Sequence, residues 1–232
     1  MDQGYIGTEL EVFAHARNWK QYLRARIAPF LRGDILEVGA GIGTTTLAFR
    51  GGREASWTCV EPDPALARSL PSRSPSLAAV DVIVGTIDSL PADRRFDGVL
   101  YIDVLEHIED DGAEVRRAAS RLRPGGALVV LAPAHQSLFS PFDAAVGHYR
   151  RYDQTMLRAL TLPELELVRL EYLDSTGWIL SLLNRLVLKS SAPTRAQVLT
   201  WDRYFIPVSR LLDPMIGRRA GKSVLAVWRK AP

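Results

Sequence analysis

The sequence predicts an α/β protein: a Rossmann-like, seven-stranded, mostly parallel sheet with helices on both faces, an N-terminal helix in front and a helical cap inserted before the last strand. Three observations carry that expectation. Short apolar runs alternate with helix-like segments as far as residue 133. The first of these runs opens directly into a glycine-rich turn, "GAGIG". Beyond residue 133 the alternation gives way to a polar stretch and then to amphipathic residues, before a closing apolar run, "SVLAVWRK".

Residues 9–31 read as a helix, with apolar positions at Leu10, Phe13, Trp19, Leu23, Ile27 and Phe30. "DILEVG" is then a buried strand and 43–50 a helix; "SWTCVEP" is a strand and "DPALARSL" a helix. "VDVIVG" and "FDGVLYID" are strands, a helix follows near 106–122, and "PGGALVVLAP" is the fifth strand. Residues 134–153, with their Pro, Gly and polar side chains, suit a long active-site loop. A short helix at 154–160 precedes the strand "LELVRLEYLD", and 176–218 is helix-like, with breaks expected at Pro193, Pro207 and Pro214. The chain thus reads as one domain over 1–232: a helical segment at 1–31, a ligand-binding core at 32–133, the loop at 134–153 and the cap at 176–218.

The 232 residues are 47% apolar and 24% charged, the balance of a globular protein large enough to bury a core. One cysteine, Cys59, rules out a disulfide framework within the chain, so a reducing cytoplasm is expected, with Cys59 as a small core residue. The first ten residues lack the pattern of a signal peptide, and no apolar run approaches the roughly 20 residues of a membrane-spanning helix. Charge is uneven. Residues 1–144 hold 15 Lys/Arg and 19 Asp/Glu, a balance of −4, whereas 145–232 hold 14 and 7, a balance of +7. The basic half could face an anionic substrate, a membrane surface or RNA, or be a solvated surface.

The glycine turn narrows the ligand. A dinucleotide fingerprint would read G-x-G-x-x-G, with pyrophosphate on the helix start. Here Gly39, Gly41 and Gly43 are spaced G-x-G-x-G and preceded by Glu37, which would repel pyrophosphate and suit an amino group. Glu61, at the end of the next strand, is placed to accept both hydroxyls of a ribose, or else simply to precede a helix.

"LEVGAGIG", "VEPDP", "VGTIDSLP", "FDGVLYIDVLEHIEDD" and "LRPGGALVVLAP", in that order over about residues 30–135, resemble the successive motifs of class I S-adenosylmethionine-dependent methyltransferases. "DAAVGHYRRYD" and "GKSVLAVWRK" further resemble a bacterial subgroup linked to surface-glycan or natural-product pathways. The resemblance implies S-adenosylmethionine as cofactor and S-adenosylhomocysteine as product. It implies that Gly39, Ala40, Gly41 and Gly43 line the methionine moiety, and that Glu37 takes the ammonium directly or through water. It further implies that Glu61 holds the ribose, that Pro62, Asp63, Thr86 and Ile87 surround the adenine, and that Tyr101, Ile102 and Asp103 lie beside the sulfonium. Many relatives carry Asp where Thr86 stands, and a threonine accepts more weakly.

Methyl transfer to a hydroxyl needs a proton acceptor, and histidine suits that near neutral pH. His107, His135 and His148 are the candidates, with Asp143 able to orient one of them; capping, orienting or holding the loop together explains them as well. Tyr149, Arg150, Arg151 and Tyr152 could touch an acceptor, but the paired arginines suit an internal clamp on Asp143, Asp153 or "EDD" at least equally. No metal site is expected: the carboxylates of "IEDD" read as a helix start and the histidines lack ligand spacing. In the cap, Trp178, Leu182 and Leu186, with Ile179 and Leu183, form neighbouring faces suited to a substrate pocket, a homodimer interface, a membrane-surface or lipid-like contact, or core packing.

A small-molecule O-methyltransferase is therefore the leading expectation. RNA methylation would draw on the basic tail, but no base-flipping motif or lysine cluster accompanies it, and nucleic acid is not expected as a partner. A cofactor-binding scaffold without methyl transfer is the non-enzymatic alternative, and the glycine spacing with Glu37 counts against a nicotinamide dehydrogenase.

Overall fold

The computed structural model describes residues 9–183 and 194–232. The expected features at Asn184, Arg185, Leu186 and Pro193 lie outside the described residues. Seven strands form one sheet: β1 (Gly33–Val38), β2 (Glu54–Glu61), β3 (Asp81–Val84), β4 (Phe96–Ile102), β5 (Leu122–Pro133), β6 (Leu165–Leu173) and β7 (Ser223–Lys230). Their order is β3-β2-β1-β4-β5-β7-β6. The pairs through β5 are parallel, and β7 runs antiparallel to both β5 and β6. The order reverses between β1 and β4, and in an open α/β sheet such a switch point opens a crevice at the carboxyl ends of the strands. Val38 of β1 pairs with Tyr101 of β4 there, so the residues that follow each strand meet at the crevice.

Both sheet faces are buried, which is why the strands read as continuous apolar runs rather than alternating ones. On β5, Leu128, Val130 and Ala132 point into one core with Val115 and Ala118, while Ala127, Val129 and Leu131 point into the other with Tyr22, Leu23 and Phe49. The first core is covered by α5 (Asp111–Ser120), and the second by α2 (Arg17–Ile27) and α3 (Thr44–Phe49). α1 (Glu9–Ala14) precedes α2, α4 (Pro64–Ser69) follows β2, and α6 (Pro141–Ala145) and α7 (Gln154–Ala159) lie between β5 and β6. α8 (Ser175–Leu183), α9 (Arg195–Thr200) and α10 (Ile206–Met215) form the insertion before β7.

Four elements differ from expectation, one through a partner remote in sequence and three through local caps and turns. The helix expected over 9–31 is two helices and a closing 3-10 turn at Ala28–Phe30. The first ends where Lys20 Nζ donates to the carbonyls of Phe13 (2.7 Å) and Ala14 (3.1 Å). The second begins where Asp202, from the insertion, accepts from the N–H groups of Asn18 (3.1 Å) and Trp19 (2.8 Å), serving as its N-terminal cap. The helix expected near 106–122 starts at Asp111, because Asp110 caps it through Ala113 N (2.8 Å). The loop at 134–153 contains α6, begun by a reciprocal Ser140–Asp143 capping box. The breaks expected at Pro207 and Pro214 do not occur. A π turn at Trp201–Phe205, with Ile206 N bonded to Trp201 O, runs into α10, where Pro207 takes the first turn and Pro214 the last. At Pro207 there is no N–H to lose at the start of α10, and the wider turn before it accommodates its ring.

The insertion is fastened to the N-terminal helices. Asp213 of α10 accepts from Asp174 N (2.8 Å), Ser175 N (3.0 Å) and the Tyr22 hydroxyl (2.8 Å), and Trp201 packs 5.9 Å from Trp19. Among the described residues no helix is long and apolar enough to cross a membrane.

Candidate active site

The glycine turn follows β1 at the crevice. Gly39, Gly41 and Gly43 have φ of +70°, +55° and +76°, a region that side chains disfavour. Space forbids a side chain at the first as well: a Cβ on Gly39 would stand 2.6 Å from Val104 Cγ2, just past β4. Gly41 N donates to Glu61 Oε2 (2.7 Å), and Asp63 N to Glu61 Oε1 (3.0 Å), so the carboxylate that ends β2 holds the turn from the side. Burial raises the Glu61 carboxyl, against those two backbone bonds. Ala40 is buried beneath the turn, and Leu10 of α1 lies above Gly41. Pro62 is exposed beyond Glu61, and Asp63 caps α4 through Ala65 N (2.7 Å) and Leu66 N (3.0 Å). Thr86 opens a one-turn 3-10 helix with Ser89, and Ile87 behind it is fully buried.

Glu37 is buried on the α3 side of β1. Its Oε2 accepts from Thr46 Oγ1 (2.7 Å) and Trp57 Nε1 (2.9 Å), leaving Oε1 as the oxygen an ammonium could use. Burial pushes its carboxyl up to about 7, against the hydrogen bonds from Thr46 and Trp57.

At the end of β4, Tyr101 turns away from the crevice into the core and donates to Glu114 Oε1 (2.6 Å). Ile102 is half-buried. Asp103 has φ +54° and, at the end of β5, His135 has φ +66°; left-handed non-glycine residues of this kind concentrate where ligands are held. Asp103 keeps solvent-exposed surface while protein surrounds it on the other sides, and this enclosure raises its carboxyl against the charges of His148, Lys222 and Lys20.

The loop brings distant residues to this point. Asp143 is the hub: Arg151 grips it with two bonds (2.8 and 2.9 Å), Ser140 donates through N (2.8 Å) and Oγ (2.7 Å), and His148 Nδ1 lies 3.0 Å from Oδ1. The hydrogen bonds from His148 and Arg151 hold the Asp143 carboxyl well below the usual range, overriding its burial. Because Asp143 is ionised and only accepts, His148 carries its proton on Nδ1 and turns Nε2 toward Glu106 Oε1, 4.0 Å away. The His107 ring meets the His148 ring edge-on, with centroids 4.5 Å apart. Burial, reinforced by the neighbouring His148, pushes His107 down to about 4, so its imidazole is neutral at pH 7.

Glu106 is the residue that sequence reasoning passed over. It is fully buried, and neither carboxylate oxygen has a hydrogen-bond partner among the described residues. Burial, next to Asp103, raises its carboxyl well above the usual range. Its place beside His107 was the one available signal; the burial that makes it notable is tertiary.

The remaining candidates are dispersed. His135 stacks on Tyr172 (4.8 Å) and lies 5.6 Å from Trp178, with Nε2 3.0 Å from the carbonyl of Gly221. A carbonyl only accepts, so Nδ1 is the nitrogen left to take a proton. Arg150 pairs with Asp111 (2.6 Å) and the Glu109 carbonyl (2.6 Å), giving the arginine pair the form of an internal clamp. Tyr152 is fully buried and donates to Asp111 Oδ2 (2.7 Å), while Tyr149 is exposed beside Arg150.

These residues fit an adenosyl sulfonium better than a dinucleotide. The turn lies close to side chains that a Cβ would strike, Val104 at Gly39 and Leu77 at Gly43, and two buried acids, Glu37 and Glu61, flank it where pyrophosphate would need cations or free N–H groups. Residues 36–130 match the family described as "Methyltransferase domain". A ubiquinone biosynthesis O-methyltransferase of Xanthomonas axonopodis pv. citri is 34% identical over 113 residues, which is 47% of this chain and 46% of that protein. The chain thus spans about half the length of the curated relatives that it matches most extensively. Among solved structures, the N-methyltransferase NodS from Bradyrhizobium japonicum WM9, in complex with S-adenosyl-L-homocysteine, superposes with a TM-score of 0.58 at 15% identity, over 91% of this chain and 85% of that one. An S-adenosylmethionine-dependent methyltransferase from Clostridium acetobutylicum gives 0.59 at 10% identity, over 93% and 92%. The glycine turn with its flanking acids, the sheet order and the match over residues 36–130 together show that this chain contains a methyltransferase domain with the fold of the class I S-adenosylmethionine-dependent methyltransferases.

Proposed function

We propose that this chain transfers a methyl group from S-adenosylmethionine to a hydroxyl oxygen of a small-molecule acceptor, a sugar, a lipid-linked compound or a natural product. The observation that carries it is the meeting, at the sheet's switch point, of a left-handed glycine turn braced by buried Glu61 with the strained Asp103 at the end of β4. Gly39, Ala40, Gly41 and Gly43 would hold the methionine moiety, Glu61 the ribose, and Asp63, Thr86 and Ile87 the adenine region. Glu37 would reach the ammonium through Oε1 while fixing α3 through Oε2. The cofactor, when bound, supplies the electrophilic methyl; the chain's part is alignment and disposal of the acceptor's proton. That proton would leave at the cluster of Asp103, Glu106, His107 and His148, beside the end of β4. Oxygen is favoured over nitrogen because the aligned curated relatives are O-methyltransferases.

The same reading places the protein in a reducing cytoplasm, where buried Cys59 stays a thiol. The outer face of the insertion, where Leu211 and Met215 are 71% and 80% exposed, would serve a lipid-like acceptor.

Calorimetry with S-adenosylmethionine, followed by detection of S-adenosylhomocysteine after incubation with hydroxylated acceptors, tests this. Saturable one-to-one binding and acceptor-dependent product are expected; absence of cofactor binding would overturn it.

A further inference from the structure

We propose that Glu106, His107 and His148 form a binding site for a divalent transition metal of the zinc, iron(II) or cobalt(II) type. Each side chain offers one ligand atom, and these atoms lie within 4.8 Å of one another. Two imidazoles and one carboxylate suit borderline metals rather than magnesium or calcium, which favour all-oxygen shells.

Three features separate this from a chance meeting of polar groups. First, Glu106 is fully buried with both oxygens unpartnered among the described residues, although a buried carboxylate demands a compensating charge or hydrogen bonds. Second, the 4.0 Å between Glu106 Oε1 and His148 Nε2 is too long for a hydrogen bond, and ligands about 2 Å from a tetrahedral ion stand roughly 3.3 Å apart, so a side-chain adjustment of under about 1 Å would close the pair on a shared ion. Third, His148 is prepared as a ligand. Its Nδ1 is tied to Asp143 at 3.0 Å, the carboxylate–histidine arrangement that fixes a metal-binding imidazole, and Arg151 and Ser140 fix Asp143 in turn. Asp103 and Asp143 add negative charge next to the cluster, offset by Arg151, Lys222 and Lys20.

Three protein ligands leave a coordination position open, as in metal sites that do chemistry. Resting on the methyl-transfer reading, that position would take the acceptor's hydroxyl oxygen, and the metal would polarise it beside Asp103.

The test uses the full chain, stripped with a chelator and titrated with zinc(II) alone by calorimetry and with cobalt(II) alone by visible absorption. One equivalent of zinc and the ligand-field bands of low-coordinate cobalt are expected. Glu106→Gln and His148→Ala should abolish both signals, and Asp143→Asn should weaken zinc binding by about 10- to 100-fold. Calorimetry with S-adenosylmethionine on the same variants shows that they are folded, and reads the methyl-transfer proposal separately. No binding to the parent chain, or binding that survives both ligand substitutions, would overturn the site. A Glu106→Gln chain that is more stable than a parent which takes up no metal would show instead that Glu106 is simply a buried, protonated acid.

Discussion

The turn at residues 39–43 and the loop at 134–153 both stand at the carboxyl edge of one sheet, yet they are held in place by different forces. The turn is a local product. Its glycines, the strand before it and the helix after it are contiguous, and Glu61, only 18 residues beyond Gly43, braces it through a backbone N–H. The loop is assembled by charge at two ranges: Asp143 gathers Ser140, His148 and Arg151 from 3, 5 and 8 residues away, while Arg150 reaches back to Asp111 and Tyr149 N bonds back to Glu106 O. Backbone geometry can be specified by residue type alone, whereas the loop's seat against residues 106–111 needs the fold to bring the two segments within reach.

One large expected effect is at the loop's hub. Arg151→Ala removes one side of a buried ion pair and should destabilise the protein by about 3 kcal/mol, measured by chemical denaturation. If the two ends are as independent as they look, cofactor affinity in the folded fraction should change less than about twofold, a difference of roughly 0.4 kcal/mol. A large loss of cofactor binding would break the comparison.

Gly39→Ala attacks the other end. The left-handed φ and the Val104 clash together should cost about 2–4 kcal/mol and abolish cofactor binding by calorimetry. Glu61→Ala, which removes an acceptor of two backbone bonds and of the proposed ribose contact, should weaken S-adenosylmethionine binding by about 100-fold, some 2.7 kcal/mol. An undiminished affinity would reduce Glu61 to a brace for the turn.

Glu37 gives the smallest effect and a pH signature. Its carboxyl lies at about 7 when folded, above its ordinary value of 4.5. The folded state therefore holds a proton that the unfolded chain has lost between these values, and stability falls as pH rises from about 4.5 to about 7. Glu37→Gln should remove that loss, stabilising the protein by about 2 kcal/mol at pH 8 and by little at pH 4, as unfolding midpoints across pH would show. Cofactor binding should weaken at the same time if Oε1 meets the ammonium.

Much of the cofactor end was legible from residues, because strands buried on both faces announce themselves as apolar runs and left-handed turns require glycine. Side-chain direction was not. Tyr101 and Tyr152 were candidates by position, yet their hydroxyls bond inward to Glu114 and Asp111. The division of the N-terminal helix was illegible too, since its cap, Asp202, lies 184 residues from Asn18.

The sequence by itself determined the sheet, the turn and hence the class of cofactor, since those depend on periodicity and on conformations only glycine adopts freely. The tertiary structure alone decided that Glu106 would be buried without partners, and that His148, 41 residues beyond His107, would meet it edge-on. Ligand spacing along the chain gave no hint of that cluster, because its members are joined by the loop's ion pairs rather than by a shared helix or strand. A low-dielectric interior, which only the folded chain creates, makes their charges matter.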